Sequence, residues 1–369
     1  MVTVLQVPYN ATIIAHERMN IYAYVSILEV SLKLLIVFML TWISSDKLKL
    51  YAILHFTVVC VIAAIYRTYT RRNFDESTFQ IVKDKKLYKT LISYSGWNLF
   101  GNIAAVAKGQ GVNILLNIFF GPVVNAARGI AMQVQGAVNM LVSNFQMAVN
   151  PQIIKSYASD EKKYMTLLII RSSKFSFYLL FLLSLPIILE VDQILKLWLK
   201  TVPDYASIFT ILILVIILID CVSGPLMTAI QATGKIKIYQ AVVGTLLILI
   251  LPISYFLLKK GHSPEITLYV NIAASIIALF IRLYIVWKLL NFPVMRFIKE
   301  IILKNTLIIP FSISVPLMIK YSMDVSFTRL IVVILVSISW SISLIYFIGL
   351  NKTEKSLVTR GIQKIVNKK

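Results

Sequence analysis

The stretch YASIFTILILVIILIDCVSGPLMT, Tyr205–Thr228, carries a single charge, Asp220, in 24 residues. About 20 consecutive apolar residues, wound as a helix, cross the hydrocarbon core of a bilayer. A helix that is apolar on every side belongs in lipid or in the centre of a large bundle. Working outward from it, similar runs recur along the whole chain. They fall at Tyr22–Ile43, Leu48–Tyr66, Leu91–Phe120, Val123–Val149, Phe175–Leu189, Ile238–Leu258, Ile266–Leu289, Ile301–Ile319 and Phe327–Ile348. With Tyr205–Thr228 that makes about ten spans. The sequence therefore predicts an all-α polytopic membrane protein of about ten transmembrane helices. The stretches between spans are too short for a soluble domain, the largest being Arg67–Lys89.

Composition agrees. Of 369 residues, 58% are hydrophobic and 14% charged, with a mean hydropathy of +0.81. Soluble domains sit near half apolar and a quarter charged. The net charge of +21 raises the question of nucleic acid, which the distribution of charge answers. Placing the segment before Tyr22 in the cytoplasm assigns 26 Lys and Arg to inner loops and 8 to outer ones. That asymmetry orients a multi-pass inner-membrane protein with a cytoplasmic C-terminus. No loop joins folded-domain length to interleaved aromatics, so nucleic acid is not an expected partner. Trp42, Tyr51, Trp198, Tyr205, Trp287 and Tyr321 fall near span ends, as interfacial aromatics do. Pro186, Pro225, Pro252, Pro310 and Pro316 are expected to interrupt spans, as in transporters with broken helices.

Cys60 and Cys221 both lie inside apolar runs, which excludes a disulfide framework or thiolate metal site. His16, His55 and His262 have no ligand spacing. With no P-loop, metal-ligand helix or nucleophile–base pair, neither an enzyme nor a cofactor or metal is expected. A membrane polymerase or ligase calls for a sizeable outer loop, and the longest here is about Glu190–Asp204.

Polar side chains inside a bilayer are costly, so their placement points to function. At about 100° per residue, Asn125, Arg128, Gln135, Asn139, Ser143, Gln146 and Asn150 share an arc of about 80° on one helix. On the preceding span Asn98, Asn102, Gly109, Asn113 and Asn117 share an arc of about 100°, with Lys108 at its edge. Such stripes either join helices by hydrogen bonds or line a water-filled cavity, and their length favours the cavity. On the first complete span, Glu29 and Lys33 stand i,i+4 and can neutralise one another. Asp220 is the other intramembrane acid, beside Pro225, with Gly224 and Gln231 on its face. Glu29 and Asp220 are candidates for ion coupling; Asp220 is alternatively a cap for backbone freed near the proline. The expected substrate-cavity set is Arg128, Lys108, Gln135, Asn139, Asn98, Asn102, Asn113 and Lys33. Its cationic balance calls for an anionic cargo, and arginine matches phosphate geometry.

Four stretches carry a resemblance: VPYNATIIAHERMNIYAYVSILEV (Val7–Val30), LKLWLKTVPDYASIF (Leu195–Phe209), IQATGKIKIYQAVVG (Ile230–Gly244) and LPISYFLLKKGHSPEI (Leu251–Ile266). The chain resembles the polysaccharide-exporter branch of the multidrug/oligosaccharidyl-lipid/polysaccharide transporter superfamily, which holds O-antigen and capsule-unit flippases. The resemblance implies a MATE-like pair of helix bundles around a central cavity. It implies alternating access that moves an undecaprenyl-pyrophosphate-linked oligosaccharide from the cytoplasmic to the periplasmic leaflet, beside polysaccharide polymerase and glycosyltransferases. Arg128 and Lys108 would then meet the pyrophosphate, and Gln135, Asn139, Asn98 and Asn102 the sugar. Family members have about fourteen spans. The opening MVTVLQVP, Met1–Pro8, reads as the end of an apolar segment, so the first bundle is expected to be incomplete. This divides the chain into a remnant of the N-terminal bundle with a linker (1–90), a second six-helix bundle (91–290), and two further helices with a basic tail (291–369). The alternatives are a multidrug or cation antiporter of the same superfamily, and a non-transporting fragment.

Overall fold

The computed structural model describes residues 2–42, 46–78 and 82–356, and among them it contains helices and no strand. The chain divides into two compact units, Met1–Lys86 and Leu87–Lys369.

The first unit is built from α1 (Val2–Ala15), α2 (Met19–Trp42) and α3 (Lys47–Asn73). Asp46 caps α3: its carboxylate accepts from the Leu48 and Lys49 amides at 3.1 and 3.3 Å, satisfying two of the four free donors of the first turn. A small core of Ile13, Val25, Ile36, Val58, Ile62 and Tyr66 joins the three helices. Outside it, Leu34 and Phe38 on α2 are about 60% exposed, the surface of a helix that faces lipid. His16 and Glu76 hydrogen-bond, fastening the α1–α2 turn to the short 3₁₀ turn Asp75–Ser77. That bond, donated by the imidazole, holds the Glu76 carboxyl below its ordinary range.

In the second unit α4 (Lys85–Phe120) and α5 (Pro122–Ala158) are joined by Gly121 alone. Gly121 has φ +80°, a conformation that glycine adopts freely, and Pro122 starts the next helix at a position that needs no amide. At 36 and 37 residues these helices run to about 55 Å, well beyond the hydrocarbon thickness of about 30 Å. There follow α6 (Lys162–Leu189), α7 (Val191–Trp198), α8 (Ala206–Cys221), α9 (Gly224–Ala232), α10 (Lys237–Lys259) and α11 (Ile266–Leu290). The chain ends in α12 (Val294–Phe297), α13 (Lys304–Ser322) and α14 (Phe327–Leu344), with π-helical stretches at Ile298–Leu303 and Ile345–Gly349. Nine helical segments among the described residues are long and apolar enough to cross a membrane. The polar-striped α5 is a tenth long helix. The protein is an all-α, multi-pass membrane protein of about ten helices.

α6 is the axis of this unit. Ile169, Ile170, Lys174 and Leu180 on it have no exposed surface. Two buried ion pairs tie α6 to later parts of the chain: Lys174, at mid-helix, donates to Glu354 at 2.6 Å, and Arg329 of α14 donates to Glu190, just past the end of α6, at 2.9 Å. Lys304 covers the last carbonyl of the second π stretch, donating to Gly349 O at 3.1 Å, and also donates to the Asn351 side chain at 3.0 Å.

Several expectations from sequence change here. α5 runs to Ala158 and α6 begins at Lys162, so Lys155, Lys162, Lys163, Arg171 and Lys174 lie on helices rather than in a long inner loop. Lys174 is tolerated inside because Glu354 neutralises it. Of the five prolines expected to break spans, only Pro225 sits at a break; Pro186, Pro252, Pro310 and Pro316 lie within continuous helices. A proline removes one backbone hydrogen bond, which neighbouring helices can compensate without unwinding. The tail beyond residue 356 and the end of the first expected span, Ile43, lie outside the described residues.

Candidate substrate cavity

The α8–α9 break positions the site. Between Cys221 and Gly224 the helix stops, freeing carbonyls in the interior of the unit. Gln146 of α5 donates to Cys221 O at 2.9 Å, and Ser173 of α6 donates to Val222 O at 2.8 Å. Gln146 also donates to Ser176 Oγ at 2.9 Å, and Gly224 leaves room for the Gln146 amide, which a Cβ there would strike. The freed backbone is thus served by α5 and α6. Asp220, whose carboxylate can only accept, is not among the groups that serve these carbonyls.

Asp220 instead lines a cavity of about 310 Å³ enclosed by α4, α8, α9, α10 and α11. α4 contributes Asn98, Asn102 and Lys108; α9 contributes Gln231; α10 contributes Gln240; α11 contributes Ser275 and Arg282. Gln240 donates to Asn98 Oδ1 at 3.0 Å, an approach that needs Gly101, since a Cβ there would collide with the Gln240 amide. Lys108 donates to Asn271 Oδ1 at 3.1 Å, and the charges acting on its ammonium are Asp220, Arg128 and Arg282. Arg282 is 7% exposed, and its Nε and Nη1 have no hydrogen-bond partner. The cavity wall therefore carries two cations and one acid. Its volume lies at the small end of ligand pockets, about 300–1,000 Å³.

Of the residues singled out from sequence, the fold gathers Asn98, Asn102, Lys108 and Asp220 in this one cavity. Asn113 of α4 and Arg128 of α5 sit outside this cavity wall. The Arg128 guanidinium donates to the Asn113 side chain and, at 3.3 Å, to Gly109 O, joining the two helices. Arg128 is nonetheless 7% exposed with Nε unpartnered. Gln135 and Asn139 are half-buried on α5 outside the cavity wall, with Asn139 near Ser143 at 3.5 Å. The α5 stripe thus serves helix joining at both ends, at Arg128 and at Gln146. Glu29 and Lys33 belong to the first unit, where they pair at 2.5 Å.

Arg282 is the residue that sequence reading missed, because its nearness to Lys288 and Arg296 placed it with the loop charges. A signal was present: Asn271, Ser275, Ala278 and Arg282 fall within an arc of about 60° on α11. Gln240 carried no such signal, since an isolated amide at a span end is ordinary.

Compared with family models, characterised proteins and solved structures, the chain matches none.

Proposed function

We propose that this protein is a transporter of anionic, lipid-linked oligosaccharide, carrying an undecaprenyl-pyrophosphate-linked sugar unit from the cytoplasmic to the periplasmic leaflet of a bacterial inner membrane by alternating access. The observation that carries the reading is the Arg282 guanidinium, buried at membrane depth, with two unpartnered nitrogens in a cavity it shares with Lys108. Ionisable groups inside a membrane cost several kcal/mol and are kept where they serve a ligand or an ion. Asp220 offsets one of the two cations, leaving an excess positive charge for the cargo. A guanidinium matches phosphate oxygens two at a time, and an ammonium adds a point charge. The amides of Asn98, Asn102, Gln231 and Gln240 are suited to sugar hydroxyls. A helix broken beside the site, as α8–α9 is at Asp220, is a recurrent feature of transporters. The lipid-linked sugar and the two-leaflet direction rest on the family resemblance; the cytoplasmic C-terminus rests on the loop charges. A cationic cargo, as in a drug antiporter, is disfavoured by two cations facing it.

The test is translocation of a fluorescent polyprenyl-pyrophosphate oligosaccharide in proteoliposomes of the full chain. Losing one charged contact of about 1.5–3 kcal/mol weakens binding by roughly 10–100-fold. Arg282→Gln and Lys108→Gln should each show a loss of that order in apparent affinity at normal protein level. Unchanged translocation by Arg282→Gln, or no translocation by the parent chain, refutes the assignment.

A further inference from the structure

The first unit holds a second, larger concavity that owes nothing to the transport reading. α1 and α3 leave between them a groove of about 780 Å³, inside the range of ligand pockets. One wall is formed by Leu5 and Tyr9 of α1, and the floor by Cys60 and Ala64 of α3. At its end stand Arg67 and Arg71, one turn apart on the same face of α3, with Arg72 beside them. Among the described residues none of these three arginines forms an ion pair. Glu76, the carboxylate that follows shortly, is engaged by His16.

Depth matters here. The apolar run of α3 ends at Tyr66, so Arg67 is the first residue past the hydrocarbon span. Cys60 to Arg71 covers about 16 Å along the helix. The groove thus passes from acyl-chain depth, where its α3 floor of Cys60, Ala63 and Ala64 is small and apolar, to headgroup depth, where it is cationic. The α3 C-terminus, with its partial negative charge, makes arginines tolerable in that turn. It does not account for a groove of small side chains beneath them. A basic pocket between membrane helices at the interface is a known form of anionic-lipid site.

We propose that the α1–α3 groove binds an anionic phospholipid of the surrounding leaflet, one acyl chain lying over Cys60 and Ala64 and the phosphate meeting Arg67 and Arg71. Phosphate oxygens take the guanidinium forks, and the apolar wall replaces neighbouring lipid.

Native mass spectrometry of the purified full chain tests this, with micelles doped with phosphatidylglycerol or phosphatidylcholine as probes. The parent should retain phosphatidylglycerol in preference to phosphatidylcholine. Arg67→Gln with Arg71→Gln should weaken phosphatidylglycerol binding roughly 30-fold, two basic contacts being lost. Arg67→Lys with Arg71→Lys, which keeps the charge, should retain most of it. Ala64→Trp, which fills the floor and leaves the charge, should abolish retention of both lipids, with helix content by circular dichroism confirming the fold. Equal retention of the two lipids by the parent, or an unchanged Gln pair, overturns the proposal. So does a two-chain species that Ala64→Trp dissociates, because the occupant would then be a second copy of the chain.

Discussion

Removing the Glu354 carboxylate should be among the most damaging single changes in the second unit. Lys174 has no exposed surface, and its ammonium lies 2.6 Å from Glu354 Oε2. The same oxygen accepts the Asn351 amide at 2.8 Å, and Arg171 stands 3.9 Å from Oε1. Breaking a buried pair by deleting one partner typically costs about 3–5 kcal/mol, because an uncompensated charge stays behind. The penalty of Glu354→Ala is expected in that range. Replacing both residues, Lys174→Met with Glu354→Leu, removes charge and desolvation together and should recover most of the loss. Unfolding of the detergent-solubilised chain in increasing SDS, followed by circular dichroism, measures all four corners of the cycle. A loss below about 1 kcal/mol for Glu354→Ala, or a double variant whose loss is the sum of the singles, refutes the reasoning.

Gln146→Leu should strand the Cys221 carbonyl at the α8–α9 break. Interhelical hydrogen bonds within membranes average about 0.6 kcal/mol and reach about 1.7 kcal/mol, so with two bonds lost a destabilisation of about 1–2 kcal/mol is expected in the same unfolding assay. His16→Ala removes the donor that lowers the Glu76 carboxyl. A depressed carboxylate contributes stability above its unfolded range and loses it as pH falls through the folded value. The gap in unfolding midpoint between parent and His16→Ala should therefore be small at neutral pH and close in acid; a gap that widens on acidification contradicts the assignment.

The two candidate sites differ in how far they could be read from sequence. Asn98, Asn102, Lys108 and Asp220 stood out because a polar group in an apolar run is conspicuous wherever its helix packs, and four of them meet in one cavity. Arg128 stood out for the same reason, yet its direction was invisible. A guanidinium on a long stem can reach Asn113 on the adjacent helix instead of facing a cavity. Arg282 was hidden by the opposite effect, since charges close to a span end look like loop charges. The same reasoning misplaced Lys174, whose partner Glu354 is 180 residues away and carries no mark of that role.

What the sequence determined alone is the class of the molecule: an all-α, multi-pass membrane protein. That follows from length and hydropathy, because each span is a local solution to burying backbone in lipid and needs no partner. The i,i+4 pair Glu29–Lys33 was likewise local and was legible. The tertiary structure decided which polar groups converge, which prolines break their helices, and which charges are neutralised from afar. Those outcomes depend on contacts between helices remote in sequence, where a side chain's meaning is set by what stands opposite it.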